Sequence, residues 1–194
     1  IFDVIRSSSA RGHGIIFISH RLPEVARIAD AVTVLRAGRT VATFAQPFRV
    51  EEVAEAMVGS ASTAEPRAST AEPRACTAEP RACTDAAVRV PAHRRSGPAE
   101  PRPRLRLERV TVTSGERVLL DSVSFSVHSG EIVGLTGIRE NGIEAMENLL
   151  GGELRLHEGV FEVDGRDASG LLPDRLRRLG LRYVPTDRLL RGAS

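Results

Sequence analysis

Apolar and polar residues divide the first 59 positions into short helices and strands. Gly14–Ser19 is a continuous apolar run, which is typical of a strand buried on both faces in a parallel sheet. Helical spacing of apolar residues predicts helices over 1–11, 22–30 and 50–58, and shorter apolar runs predict strands over 31–35 and 40–44, joined by a turn at 36–39. This order of elements predicts the end of an α/β domain.

A second patterned region begins at Leu105. Apolar and polar residues alternate from Leu105 to Val112, which predicts a half-exposed strand. Further strands are predicted over 118–120, 123–127, 132–135, 159–164 and 181–184, and helices after Gly142 and over 173–179. Antiparallel strands followed by a strand, a glycine loop and a helix predict the first half of an α/β domain that carries an antiparallel β-subdomain.

The residues between these regions form a repeat. Ala-Glu-Pro-Arg recurs at 64–67, 71–74 and 78–81 and again at 99–102. A proline in every repeat opposes a coiled coil, because proline costs about 3 kcal/mol in a helix interior. Without large apolar side chains the stretch is predicted to be a disordered linker. The predicted organisation is therefore 1–59, the linker 60–103, and 104–194.

Composition narrows the class of protein. The net charge of +2 gives no reason to expect nucleic acid as a partner, and all 27 basic side chains are arginines. No apolar run approaches the roughly 18 residues that span a membrane, so a cytoplasmic setting is expected. Cys76 and Cys83 lie inside the repeat and predict no disulfide framework. Because the chain starts at Ile1 inside a predicted helix, it is expected to be a fragment.

The stretch from Glu131 to Gly152 has the layout of a phosphate-binding loop without its chemistry. Gly137 and Gly142 stand at the spacing of G-x-x-x-x-G-K-[ST], but Ile143 occupies the lysine position and Glu144 the Ser/Thr position. A carboxylate about 4 Å from a phosphate oxygen costs about 4 kcal/mol at an effective dielectric constant of about 20, which approaches a thousandfold in affinity. We therefore expect neither hydrolysis nor tight ATP binding here; Gly137, Asn141 and Gly142 could form only a tight turn.

His20 follows the apolar run 14–19. This places a polar ring at the carboxyl edge of a predicted parallel strand, where ligands of open α/β sheets collect. A lone histidine is more often structural, so its position alone does not assign a role. No metal site is predicted.

Two regions resemble the ATPase subunits of ABC transporters. The first is GHGIIFISHRLPEVARIADAVTVLRAGRTVATF at 12–44. The second is 105–188, which contains LDSVSFSVHSGEIVGLTG at 120–137 and YVPTDR at 183–188. The end of one domain followed by the start of another resembles the fused tandem subunits that serve importers of simple sugars and nucleosides. In these the second phosphate loop is often degenerate. The resemblance implies a partial P-loop NTPase fold on both sides of the linker.

The resemblance also implies roles and partners. His20 would donate a hydrogen bond to the γ-phosphate and orient the attacking water. The intact protein would be an ATP hydrolase that uses ATP and Mg²⁺. This chain alone would be inactive and would bind neither ATP nor Mg²⁺. Thr186 departs from the family's glutamine, and Asp187 and Arg188 match a pair that would couple to the membrane subunit, or form a structural contact. The partners would be permease subunits and an extracytoplasmic substrate-binding protein, and the subunit would lie on the inner face of the plasma membrane.

The sequence is also compatible with two alternatives. The chain could come from a soluble tandem ABC protein that acts on ribosomes, although the prolines in its linker and the YVPTDR segment argue against that class. It could also be a decayed fragment without function.

Overall fold

The structure, a computed structural model, describes residues 1–59, 102–138, 142–182 and 184. The helices are α1 Phe2–Ala10, α2 Leu22–Ile28, α3 Val50–Val58, α4 Ile143–Gly151 and α5 Pro173–Leu179. The strands are β1 Ile15–Ile18, β2 Ala31–Arg36, β3 Arg39–Ala45, β4 Leu105–Ser114, β5 Arg117–Val127, β6 Ile132–Gly137, β7 Glu158–Val163 and β8 Arg166–Asp167. Below, residues 1–59 are the leading segment, and the described residues of 102–182 are the trailing segment.

One sheet contains strands from both segments. Its order is β1-β6-β2-β3, so that β6 of the trailing segment lies between two strands of the leading segment and runs parallel to both. Leu135 is paired with Ile18 on one side and with Thr33 on the other. Every residue of β6 is buried, as expected of a central parallel strand. The two segments are therefore packed against each other through a shared sheet.

Polar groups fix β6 at its entrance to this sheet. The backbone N–H of Asp30 donates to the carbonyl oxygen of Ile132 over 2.8 Å, and the N–H of Ile132 donates to Asp30 Oδ2, also over 2.8 Å. The hydroxyl of Ser129 donates to the carbonyl oxygen of Gly12 over 2.7 Å. Backbone groups that would otherwise be unpaired at the strand ends are thus satisfied by the other segment.

The second sheet is antiparallel, in the order β5-β4-β7-β8. Buried and more exposed side chains alternate along β4. The buried ones form a core with side chains of α4, β6 and β7, and this core includes Leu107, Val110, Leu135, Met146 and Phe161. A smaller cluster packs α2 and α3 on the leading-segment strands. Mixed α/β structure with an antiparallel β-subdomain was predicted, and it is confirmed.

A local hydrogen bond stabilises the end of β8, an edge strand of the antiparallel sheet. The Ser169 backbone N–H donates to Asp167 Oδ1 over 2.8 Å and, with the Ser169 hydroxyl, lowers the pKa of the Asp167 carboxyl. Asp167 is the last residue of β8, and its carboxylate binds the turn that follows, away from the parallel-strand edge described below.

Several predicted elements differ from the structure. The strands predicted over 118–120 and 123–127 are one strand, β5, which stays continuous through register shifts against β4 and a positive φ of 54° at Ser122. The strand predicted over 181–184 is wrong at its described residues, which lie outside any strand. The run Gly14–Ser19 was predicted to be buried on both faces, but β1 is an edge strand of the described sheet and is only half-buried.

The predicted linker falls largely on residues that the structure does not describe, since only Arg102 and Pro103 of it are described, and the division of the chain into domains stays a prediction. Among the helices that the structure describes, none is both long and apolar enough to cross a bilayer.

Candidate functional site

The carboxyl ends of three parallel strands meet at one edge of the shared sheet. β1 ends before Ser19 and His20, β6 ends at Gly137, and β2 ends at Arg36. The Ser19 N–H donates to the carbonyl oxygen of Leu135 over 3.1 Å, which extends the pairing of β1 and β6 to the last residue before His20. The structure therefore brings His20 and Gly137, predicted from distant parts of the sequence, to the same edge, where α/β proteins bind their ligands.

Hydrogen bonds around Ser19 form the turn that carries His20. The Arg21 N–H donates to Ser19 Oγ over 3.1 Å, and the Ser19 hydroxyl lies 3.4 Å from Glu24 Oε2. The Arg21 guanidinium is paired with Glu24 over 2.7 Å. His20 is exposed between these residues, at the start of α2. Ser19, His20 and Arg21 thus form a turn that is stabilised by a hydrogen bond to the Ser19 side chain and leaves the His20 imidazole exposed to solvent.

Replacing Ser19 by alanine is expected to destabilise the protein by about 1 kcal/mol. The substitution removes the acceptor of the Arg21 N–H, and a typical intramolecular hydrogen bond contributes about 0.5–1.5 kcal/mol. Urea unfolding followed by circular dichroism measures the change. Ser7→Ala in α1, at an exposed position, is the matched control and should change stability by less than about 0.5 kcal/mol. Equal effects of both substitutions would contradict a specific role of Ser19.

Packing requires both glycines of the predicted phosphate loop. A Cβ at Gly137 would overlap the carbonyl oxygen of Leu35. Gly142 has a φ of +108°, and its Cβ would lie 2.9 Å from the Cα of Gly38 in the turn between β2 and β3. The spacing of these glycines therefore has a structural reason that is independent of phosphate. Asn141 lies outside the described residues.

The side chains after Gly142 do not fit a magnesium nucleotide. Ile143 is 7% exposed and belongs to the core, with Cγ1 3.2 Å from a Cβ built on Gly137. Glu144 is exposed in the first turn of α4, where its carboxylate interacts favourably with the helix dipole and occupies the position that favours a bound anion. Positions 143 and 144 thus supply neither the lysine nor the hydroxyl that a phosphate loop needs at these positions.

Metal-binding side chains are not grouped in the part of the chain that the structure describes. No set of three or more His, Cys, Asp or Glu side chains there could hold a metal ion. The three residues of the predicted coupling loop, Thr186, Asp187 and Arg188, lie outside the described residues, and their role stays a prediction.

Contacts that no motif indicated also shape this edge. Thr136 is fully buried, and its hydroxyl donates to the sulfur of Met57 over 3.4 Å, which links α3 to the end of β6. Gly38, predicted only as part of a turn, contacts the start of α4 through Gly142. A buried threonine at the end of an apolar strand is the one sequence signal that could have indicated the first of these contacts.

Known proteins resemble this chain along its whole length. It is 30% identical over 196 residues to the glucose import ATP-binding protein TsgD13 of Haloferax volcanii, covering 100% of this chain and 31% of that protein. It is 30% identical to the ribose import ATP-binding protein RbsA 3 of Rubrobacter xylanophilus over 97% of this chain and 32% of that protein. The corresponding values for the xylose import ATP-binding protein XylG of Pseudomonas fluorescens are 28%, 99% and 33%.

Other comparisons add no match: no protein-family model and no solved structure matches the chain. The chain spans about a third of the length of the curated relatives above. These relatives match it on both sides of residues 60–101, as the two regions of ABC resemblance require. The chain is thus similar to about a third of each of these sugar import ATP-binding proteins, and its mixed α/β fold is consistent with that similarity.

Proposed function

We propose that a protein containing this chain is the ATP-binding subunit of an importer for a simple sugar or a nucleoside, and that it couples ATP hydrolysis to uptake. The observation that carries the proposal is the similarity to sugar import ATP-binding proteins over 97–100% of the chain. The relatives' names favour a sugar over a nucleoside. Permease subunits and an extracytoplasmic binding protein would be its partners, on the inner face of the plasma membrane.

We propose further that the subunit is a tandem fusion and that the loop 137–144 belongs to its inactive nucleotide site. The burial of Ile143 in the core and the carboxylate of Glu144 at the start of α4 support this assignment. His20 is the candidate catalytic residue. Its support is geometric: it is exposed at the carboxyl edge of the parallel strands, in a turn closed by Ser19.

Sugar uptake by the source organism tests the function. We expect His20→Ala in the chromosomal gene to slow uptake of at least one labelled sugar among ribose, xylose, glucose and arabinose by at least about tenfold. The reason is that loss of one hydrogen-bond donor to the developing charge of a transition state typically costs about 10²–10³-fold in rate. His13→Ala, which changes another exposed histidine in the loop before β1, should leave uptake unchanged. Immunoblots of both variants check that protein levels are equal.

The outcomes separate the candidate functions. Reduced uptake of a nucleoside with normal sugar uptake would support the same coupling with the other substrate class. Normal uptake of every sugar and nucleoside tested would overturn the import function. In that case co-sedimentation of the protein with ribosomes would favour the ribosomal alternative, and the absence of its transcript would favour a decayed gene.

A further inference from the structure

We propose that the outer face of α5 binds an anionic lipid surface. This face consists of four exposed side chains at the spacing of one helix side: Leu172, Arg175, Arg178 and Arg182. All four belong to the trailing segment, so the face is the same whether the two segments form one domain or parts of two. The contact goes beyond the proposed transport function, because a lipid surface can bind this face without any permease.

The opposite face of α5 fixes the orientation of the helix. Leu176 is buried, and Leu179 and Leu181 pack against the same core. A Cβ on Gly152, just after α4, would lie 2.9 Å from Leu176 Cδ1 and 3.0 Å from the backbone nitrogen of Pro173. Because α5 is packed this closely on its apolar side, it cannot rotate to bury its arginines, and the outer face stays in contact with solvent.

Positive charge is concentrated around this helix. Residues 165–182 contain five arginines and two aspartates, a net charge of +3, whereas the whole chain carries +2. Both carboxylates already have partners. Asp167 accepts a hydrogen bond from the Ser169 N–H, and Asp174 is paired with the Arg177 guanidinium over 3.0 Å. The remaining positive charge around α5 is therefore not neutralised by these two acids.

Arg175 and Arg178 carry the unpaired charge. Neither guanidinium has an ion pair or a hydrogen bond to any other residue that the structure describes. Arg178 lies in the last turn of α5, where a cation interacts favourably with the helix dipole, but Arg175 lies in the first turn, where the dipole disfavours a cation. The stability of the helix therefore does not explain Arg175, and an external anion does.

The size of the outer face favours a lipid surface over a folded protein partner. α5 has seven residues and is about 10 Å long, and a ridge of four side chains is much smaller than the roughly 800 Å² per partner of a stable protein interface. A bilayer needs no matching pocket. Its phosphates attract the arginines, and Leu172, which is 62% exposed, enters the headgroup region beside them. We assign the occupant as a bilayer surface that contains anionic phospholipid.

Co-sedimentation with vesicles tests this assignment. The full-length chain is mixed with vesicles of equal parts phosphatidylglycerol and phosphatidylcholine, and separately with vesicles of phosphatidylcholine alone. We expect binding to the anionic vesicles only, and added salt should weaken it because salt screens the charges. Equal binding to both kinds of vesicle, or binding to neither, would overturn the proposal. Binding to an immobilised polyglutamate peptide but not to vesicles would overturn it in favour of an acidic protein partner.

Paired substitutions test whether α5 is the binding face. Arg175→Gln with Arg178→Gln should lower the partition constant for the anionic vesicles by about twenty-five-fold, since each basic side chain near such a surface contributes about fivefold. Lysine at both positions keeps the charges and should bind within about threefold of the unchanged chain. Arg11→Gln with Arg117→Gln removes the same charge from exposed positions outside α5 and should stay within about twofold. Equal losses from the two glutamine pairs would overturn the assignment to α5.

A second pair of variants tests the apolar part of the contact. Leu172→Ser should lower the partition constant by at least about threefold, because the leucine side chain leaves water when the face binds lipid. Val118→Ser, at a position in β5 that is 56% exposed, is the matched control and should leave binding unchanged. Circular dichroism verifies that every variant folds like the unchanged chain. A loss from Val118→Ser as large as that from Leu172→Ser would overturn the proposed face.

Discussion

Replacing Gly134 by leucine is expected to lower the free energy of unfolding by about 3 kcal/mol or more. The first added carbon would lie 2.5 Å from Val25 Cγ1 and 3.4 Å from Val32 Cγ2, both in fully buried side chains. Added side-chain volume in a packed core costs typically about 1–3 kcal/mol and occasionally more. Because β6 lies between two strands of the leading segment, the added side chain weakens the pairing of the two segments as well as the packing of α2 on β6. Urea unfolding of the full-length chain, followed by circular dichroism, measures the loss.

Two further substitutions make this test specific. Gly134→Ala adds only the first carbon and should cost less than leucine but remain clearly destabilising. Gly115→Asn, in the turn between β4 and β5, changes a glycine that has no atom within 4 Å of its Cβ position and a φ of +59°, which asparagine tolerates. We expect less than about 1 kcal/mol there. If Gly115→Asn costs as much as Gly134→Leu, general glycine effects rather than the packing of α2 on β6 explain the losses.

Local structure was well determined by the pattern of side chains. The helices predicted over 50–58 and 173–179 have those bounds in the structure. Apolar spacing decides these elements because each helix buries one face, as Val53 and Leu176 do. The alternation along β4 likewise predicted a strand with one buried face. These features depend on neighbours in the sequence.

Pairing between distant strands could not be predicted in this way. Both β1 and β6 are short apolar runs, and nothing in such a run specifies its neighbour in a sheet. The order of motifs predicts the end of one domain and the start of another, and it gave no indication that β6 would lie between β1 and β2. What selects this arrangement is shape at particular points, such as Gly134 under Val25, and these contacts exist only in the folded chain.

At the candidate site, too, some features could be predicted from the sequence and others depend on contacts between distant residues. The sequence placed His20 after one parallel strand and Gly137 at the end of another, and topology brings both to one edge. The glycine spacing, in contrast, has a packing explanation at Leu35 and Gly38 that a motif search does not reveal. A glycine pattern is therefore weaker evidence for phosphate than the side chains that follow it.

Restoring those side chains is expected to create nucleotide affinity. In the variant Ile143→Lys with Glu144→Ser, the dissociation constant for magnesium ATP should fall by at least about a hundredfold relative to the unchanged chain. Removal of one carboxylate about 4 Å from a phosphate favours binding by about 4 kcal/mol at an effective dielectric constant of about 20. Part of this gain offsets the cost of placing a charged lysine at the position where Ile143 is buried. Isothermal titration calorimetry measures binding, and circular dichroism verifies folding.

A variant with the same change in net charge tests whether the gain in ATP affinity depends on the loop at 143–144. Glu158→Lys at the exposed start of β7 raises the net charge by the same two units and should leave affinity unchanged. Equal gains from both variants would show general attraction of an anion, and tight binding by the unchanged chain would refute the inactive site. The single variants separate the causes, since Glu144→Ser tests repulsion and Ile143→Lys tests the missing cation. If Glu144→Ser alone restores most of the affinity, the backbone of the loop is still a phosphate cradle, and its carboxylate is what closes it to nucleotide.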